Sequence, residues 1–189
     1  MTDRRDALAQ AATDYVLEHG LIGLSLRPLA AGVGTSDRML LYHFGDKSRL
    51  LATVLEVSNE RSVAGIRELP ASTGPRAAVL DLWRLLSSPP QARCQRLYVE
   101  AAALGVLGSE PFVTVVASAN LVWLAALRTH FEGAGLEARD AGAAARLVGA
   151  AFMGLQLDEP IEDPDVVRSS VEDLADAVAM MWGGARPAS

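Results

Sequence analysis

Apolar residues recur at three- and four-residue spacings along almost the whole chain, and no run of strand-like alternation persists anywhere in it. A 3.6-residue period buries its apolar side only as a helix, so the sequence predicts an all-α protein. Glycines, prolines and capping residues cut the pattern into about nine helices. These run over 4–19, 25–31, 37–44, 47–68 behind an Asp46 cap, 76–87, 91–108, 112–132, 138–156 and 166–182. Gly20 follows the last periodic residue of the first helix, where a helix-ending glycine belongs. Leu69–Pro75 reads as a linker, and Pro89–Pro90, Glu110–Pro111, Gly133–Gly135 and the acidic Asp158–Asp165 read as the other breaks. No internal repeat is present.

With 189 residues, half of them hydrophobic, the chain can bury one large domain or a small one beside a medium one. A single cysteine, Cys94, excludes an internal disulfide and a cysteine-based zinc cluster. Its setting in QARCQRLYVEAAAL marks it as a small buried hydrophobe. Asp3 and Asp6 precede any apolar run, so no signal peptide is expected. The longest uncharged stretch, Pro111–Leu127, carries Thr114, Ser118 and Asn120 and falls short of the ~20 apolar residues of a membrane span. It predicts a buried helix, in a soluble cytoplasmic protein with no membrane partner. A net charge of −6 weighs against a nucleic-acid partner only until it is mapped. Residues 1–50 carry six basic and six acidic side chains, whereas residues 51–189 carry eleven and seventeen. The negative excess therefore lies wholly in the second part, which leaves the N-terminal end free to meet DNA.

The informative segment is SLRPLAAGVGTSDRMLLYHFGDKSRLL, residues 25–51. Ser25 is a plausible N-cap for a short helix in which Pro28 is tolerated in the first turn. Gly34 breaks the chain, and Ser36 or Thr35 can cap the next helix. Two short helices joined by a tight glycine turn form the helix-turn-helix pattern. Leu29, Ala30 and Val33 give the first helix an apolar face, and Leu40 and Phe44 give one to the second. Asp37, Arg38, Tyr42 and His43 are left on the opposite side, free to meet a major groove.

The same segment resembles the N-terminal domain of the tetracycline-repressor (TetR) family of bacterial regulators. The resemblance covers about residues 5–52: a helix ending in Gly20, Ser25, Leu29–Ala30, Gly34 at the turn, then Tyr42-His43-Phe44-Gly45-Asp46-Lys47 with Leu50. It implies Tyr42 and His43 at phosphates or bases, and Lys47 on a phosphate near a helix N-terminus, which already favours anions. The expected DNA-binding set is Arg27, Thr35, Ser36, Asp37, Arg38, Met39, Tyr42, His43 and Lys47, with Arg4 and Arg5 as further phosphate candidates. Three positions depart from the family pattern. Leu41 stands where a tyrosine is usual, Asp37 puts a negative charge on the groove side, and Pro28 occupies a position usually polar.

Residues 76–182 carry no motif of their own. The resemblance implies a DNA-binding domain over 1–51 and a larger effector-binding and dimerisation domain over 52–189, with the last two helices forming a four-helix interface with a second copy. The residues allow this. Ala141, Gly142, Ala145, Gly149 and Ala150 would let another helix approach closely, and the last helix carries a stripe at Val167, Val171, Leu174, Val178 and Met181. Trp83, Tyr98, Phe112, Trp123, Phe152 and Met153 are the large side chains available to line a cavity. Asn120 and Gln156 are neutral polar groups among apolar neighbours, and buried groups of that kind require partners that an effector can supply.

An enzyme reading finds little support. A carboxylate-bridged metal bundle needs Glu-x-x-His pairs, and none of His19, His43 and His130 has a glutamate three residues earlier. HExxH and GxSxG are absent, Gly32-Val33-Gly34 leads to no third glycine, and DEPIEDPD lacks the spacing of a calcium loop. No catalytic residue, metal or cofactor is expected. The sequence points to a homodimeric regulator that binds double-stranded operator DNA, a repressor released by a small apolar or amphipathic effector. An all-helical enzyme and an effector-independent architectural DNA-binding dimer are the alternatives.

Overall fold

The computed structural model of the chain describes residues 2–182. Among them it has nine helices: α1 Thr2–His19, α2 Leu26–Gly32, α3 Asp37–Phe44, α4 Lys47–Glu68, α5 Pro75–Leu86, α6 Pro89–Val106, α7 Phe112–Gly133, α8 Ala138–Asp158 and α9 Pro164–Trp182. Prolines expected to sit between helices instead open them. Pro75 begins α5, Pro89 and Pro90 begin α6, and Pro164 begins α9. Proline lacks only an N–H that the first turn could not use, and its fixed φ suits that turn.

Packing divides the described chain into two compact units. The first takes in the chain up to Ser62 together with Pro89–Leu121, so it runs past residue 51 and recruits α6 and the start of α7. Its central element is α1, which packs on α2, α3 and α6 and buries Leu8, Ala9, Ala12, Val16 and Leu17. From α6 and α7, Cys94, Leu97, Ala101 and Phe112 join the same apolar core. A helix C-terminus leaves carbonyls unpartnered. Here Arg96 of α6 donates to the Leu17 carbonyl at 2.8 Å. Glu100, one turn on, accepts the backbone N–H groups of Leu21 at 2.6 Å and Ile22 at 3.0 Å.

The second unit comprises Val63–Ser88 and the chain from Val122 onward. In it α5 lies along α9, and α9 also packs on α8. Leu82, Leu86, Leu127, Phe131, Val148, Phe152 and Val178 are among its buried core residues. Gly149 of α8 admits Trp123: a Cβ there would lie 3.0 Å from the indole and 3.2 Å from Leu124. A polar trio ties the α4–α5 connection down. Ser72 donates to Asp81 at 2.7 Å, so its oxygen can accept from His130 Nε2, 3.2 Å away.

The expectation that the apolar stretch Pro111–Leu127 is a buried helix is half right. Within α7, Trp123, Ala126, Leu127, His130 and Phe131 are buried, but Val113, Leu121 and Val122 are exposed. By length and composition α7 is apolar enough to cross a membrane, with only 28% of its most apolar window buried. The sequence is apolar around more of the helix than one core-facing stripe can use.

Candidate nucleic-acid interface

Helices α2 and α3 are joined by a turn built on two glycines. Gly34 has φ +70°, a left-handed conformation that costs glycine least, and Thr35 N–H bonds back to the Ala30 carbonyl at 2.9 Å. At Gly32 space is decisive. A Cβ would lie 2.3 Å from the Tyr15 ring, so α1 and α2 lock together only because no side chain intervenes. Ser36 caps α3, accepting from Met39 N–H at 3.3 Å. Ser25 stands at the N-cap of α2 in extended conformation, but its hydroxyl makes no capping bond. Pro28 occupies the third helical position and has no N–H, which removes one of the two first-turn donors that such a hydroxyl could accept from.

The two faces of α3 separate cleanly. Leu40 and Phe44 point into the core, and the Arg5 guanidinium lies 5.1 Å from the centre of the Phe44 ring. Asp37, Arg38, Met39, Leu41 and Tyr42 are exposed, with Tyr42 at 68%. His43 is half-buried, its ring edge-on to Tyr42 at 5.2 Å. Arg38 has no ion-pair or hydrogen-bond partner among the described residues, which leaves its guanidinium available. Asp37 occupies the first turn of α3, where a negative charge complements the helix dipole. Arg27 is exposed on α2, and Thr35 is half-buried in the turn.

Lys47 opens α4 and donates to the Leu24 carbonyl, so it also ties the α1–α2 connection to this helix. An ammonium has three donors, and this bond uses one of them. Asp46 caps α4 through Arg49 N–H at 2.8 Å, and its other oxygen lies 3.6 Å from Arg49 Nε. Beneath the end of α3 a concavity of about 470 Å³ is lined by Arg5, His43, Arg49, Thr53 and Glu56. Arg49 was not among the expected site residues. Its signal in the sequence is a second basic residue two positions after Lys47, within one turn of α4.

The same succession of helices recurs in solved structures. A transcriptional regulator from Rhodococcus sp. Rha1 superposes with a TM-score of 0.77 at 20% identity, over 96% of this chain and 99% of its own. A Rhodococcus protein assigned to the TetR family of transcriptional regulators does so with a TM-score of 0.72 at 21% identity, over 95% and 98%. This chain has the TetR-family fold. The multidrug-binding protein EbrR, complexed with proflavin, follows with a TM-score of 0.66 at 23% identity, over 92% of this chain and 98% of its own. Compared as a sequence, the chain matches no family model and no curated protein.

On the TetR fold the residues expected to line an effector cavity fall into two groups. Trp83, Trp123, Phe152 and Gln156 belong to the second compact unit, and Tyr98, Phe112 and Asn120 to the first. Trp83 and Phe152 meet at 5.2 Å between ring centres, and Trp123 shares their apolar cluster. The Trp123 Nε1–H is buried with no hydrogen-bond partner among the described residues. Gln156 is half-buried one turn beyond Phe152 on α8. In the first unit Phe112 is a core residue, Tyr98 and Asn120 are half-buried, and burial pushes the Tyr98 phenol above its ordinary range.

The stripe expected to face a second copy needs correction. Val167, Val171 and Val178 of α9 are buried within this chain, and Leu174 packs on the same core. Of the small residues of α8, Ala141, Ala145 and Gly149 are buried too, whereas Gly142 is half-buried and Ala150 exposed. The periodicity marked the faces these helices turn inward, as a hydrophobic stripe ordinarily does. What α8 and α9 leave exposed is an apolar set including Leu147, Leu157, Val166, Met180 and Met181, of which only Met181 belongs to the expected stripe.

Proposed function

We propose that this chain is a cytoplasmic, homodimeric, sequence-specific DNA-binding regulator of transcription, a repressor released from its operator by a small apolar or amphipathic molecule. The observation that carries the reading is the outer surface of α3. A capped helix, rigidly held through Leu40 and Phe44, presents an unpartnered Arg38 and an exposed Tyr42 one turn apart. The first turn of a recognition helix is the end that meets base edges, and arginine reading guanine is the commonest specific contact. Met39 and Leu41 beside them offer apolar surface for a thymine methyl. Lys47, Arg27, Arg5 and Arg49 are proposed phosphate contacts, which position the protein without reading sequence.

Residues 1–51 are the proposed reader, and residues 52–189 the proposed dimerisation and effector domain. The exposed apolar residues of α8 and α9 are the surface on which a second copy would dock. The cluster around Trp83, Trp123 and Phe152, with a buried indole N–H lacking a partner, fits an apolar effector carrying one hydrogen-bond acceptor. Release requires that the effector bind better to a conformation whose two reading helices are wrongly spaced for DNA.

The test is selection of binding sites from random double-stranded DNA with wild-type protein and Arg38→Ala. Wild type is expected to select a palindrome. Arg38→Ala is expected to lose preference at one base pair per half-site, worth ~1–3 kcal/mol of discrimination, while circular dichroism stays unchanged. Failure of wild type to enrich any palindrome would sink the reading.

A further inference from the structure

We propose that Asp37 determines specificity on the DNA-reading surface, its carboxylate accepting from the amino group of a cytosine in each half-site and repelling the other bases. The assignment rests on the DNA-binding reading and adds to it which base this residue selects. A free negative charge gains nothing on a surface that approaches phosphates, so its presence there calls for a physical reason. Asp37 is exposed on the first turn of α3, one residue before Arg38. Among the described residues its side chain has no hydrogen bond and no ion pair.

The lack of a partner has local causes. Ser36 fills the capping role for α3, accepting from Met39 N–H at 3.3 Å. A helical carboxylate reaches side chains three and four residues on, and here those are the buried Leu40 and the apolar Leu41. Arg38 is adjacent, but successive residues on a helix point about 100° apart and do not face one another. The helix dipole favours a charge at this end without using its hydrogen-bonding capacity. Asp37 and Arg38 therefore leave the same turn as two separate groups, an acceptor and a fork of donors.

The bases sort themselves against such an acceptor. On the major-groove edge guanine presents two acceptors, thymine an acceptor and a methyl, and adenine an acceptor beside its amino donor. Cytosine alone presents a donor with no acceptor next to it on the same base. Opposite any other base the carboxylate is desolvated and unpaired, or repelled. Asp37 thus acts in two directions, holding the cognate site and weakening the hold on random sequence. Adjacent Cα atoms lie about 3.8 Å apart and stacked base pairs about 3.4 Å. The cytosine should accordingly fall at, or within about two base pairs of, the guanine read by Arg38.

The experiment is selection from random double-stranded DNA with wild type, Asp37→Ala and Asp37→Asn. Each protein is then titrated with the selected operator and with versions in which the implicated C·G pair is changed to every alternative. Wild type should lose about five- to one-hundred-fold in affinity on that change, and Asp37→Ala less than about twofold. Asp37→Ala should also bind random DNA more tightly than wild type. Asp37→Asn should shift the preference toward adenine, whose N6 and N7 an amide meets together. Thermal melts by circular dichroism check folding, and a changed Tm with unchanged base preference is the signature of a purely helix-stabilising residue. The proposal is overturned by that signature, by an Asp37→Ala protein that loses affinity equally for every sequence, or by half-sites with no cytosine in the expected window. A wild type that selects no palindrome sinks the DNA-binding reading and this proposal together, whereas a palindrome read identically by all three proteins sinks this proposal alone.

Discussion

Glu100 accepts two main-chain N–H groups of the α1–α2 connection through one carboxylate oxygen. Leu21, one of the two donors, is a buried residue that could not readily turn to water instead. Glu100→Ala should therefore cost about 1–3 kcal/mol, read as a several-degree fall in Tm, and Glu100→Gln, which keeps an acceptor, should recover most of it. His130 makes a pH-dependent prediction. Burial holds its imidazole below the ordinary histidine range, against the opposing pull of Asp81. As pH falls below about 6.5 the unfolded chain takes up a proton that the folded chain resists, so stability declines from there until the folded-state value is passed. Asp81 is held below its ordinary 3.8, chiefly by the Ser72 hydroxyl, so its contribution is present above that pH and is lost only below it. Urea midpoints between about pH 7.5 and 5 should thus slope in wild type and lie flatter in His130→Gln. Not all residue roles were legible from sequence. The outward set of α3 follows from helical period alone. The bond from Lys47 to Leu24 spans 23 positions, and no local pattern encodes it.

Helix limits were the most legible feature, because capping residues, glycines and prolines act within one turn. The errors fell where proline admits two readings, as a break or as the first residue of the next helix, and Pro89, Pro90 and Pro164 took the second. What each helix faces was less legible. A stripe of Val167, Val171, Leu174 and Val178 announces that α9 is buried on one side, but not whether its own chain or a second copy does the burying. The structure assigns that side to this chain. Two substitutions separate the cases. Leu174→Glu should lower the urea midpoint sharply by placing a charge against the core. Met180, at 80% exposure, should accept Glu with little change in stability. If α8 and α9 form the dimer, sedimentation should then show Met180→Glu as a folded monomer. A Met180→Glu protein that remains dimeric would move the interface elsewhere.

At the scale of the whole molecule, the first compact unit is discontinuous in sequence. Its apolar core is completed by Cys94, Leu97, Ala101 and Phe112, which arrive only after the intervening segment 63–88 has gone to the other unit. Nothing local in residues 25–51 discloses this dependence, since a helix-turn-helix pattern reads the same whether or not it can stand alone. A fragment ending at Ser62 should consequently show depressed helicity and a broad, uncooperative melt by circular dichroism, whereas the chain through Trp182 should melt sharply. During synthesis, the ribosome must release residues well beyond the recognition helix before that helix gains its support. A premature stop codon anywhere before α7 should therefore behave as a null allele, and not as a dominant-negative one whose product competes for the operator.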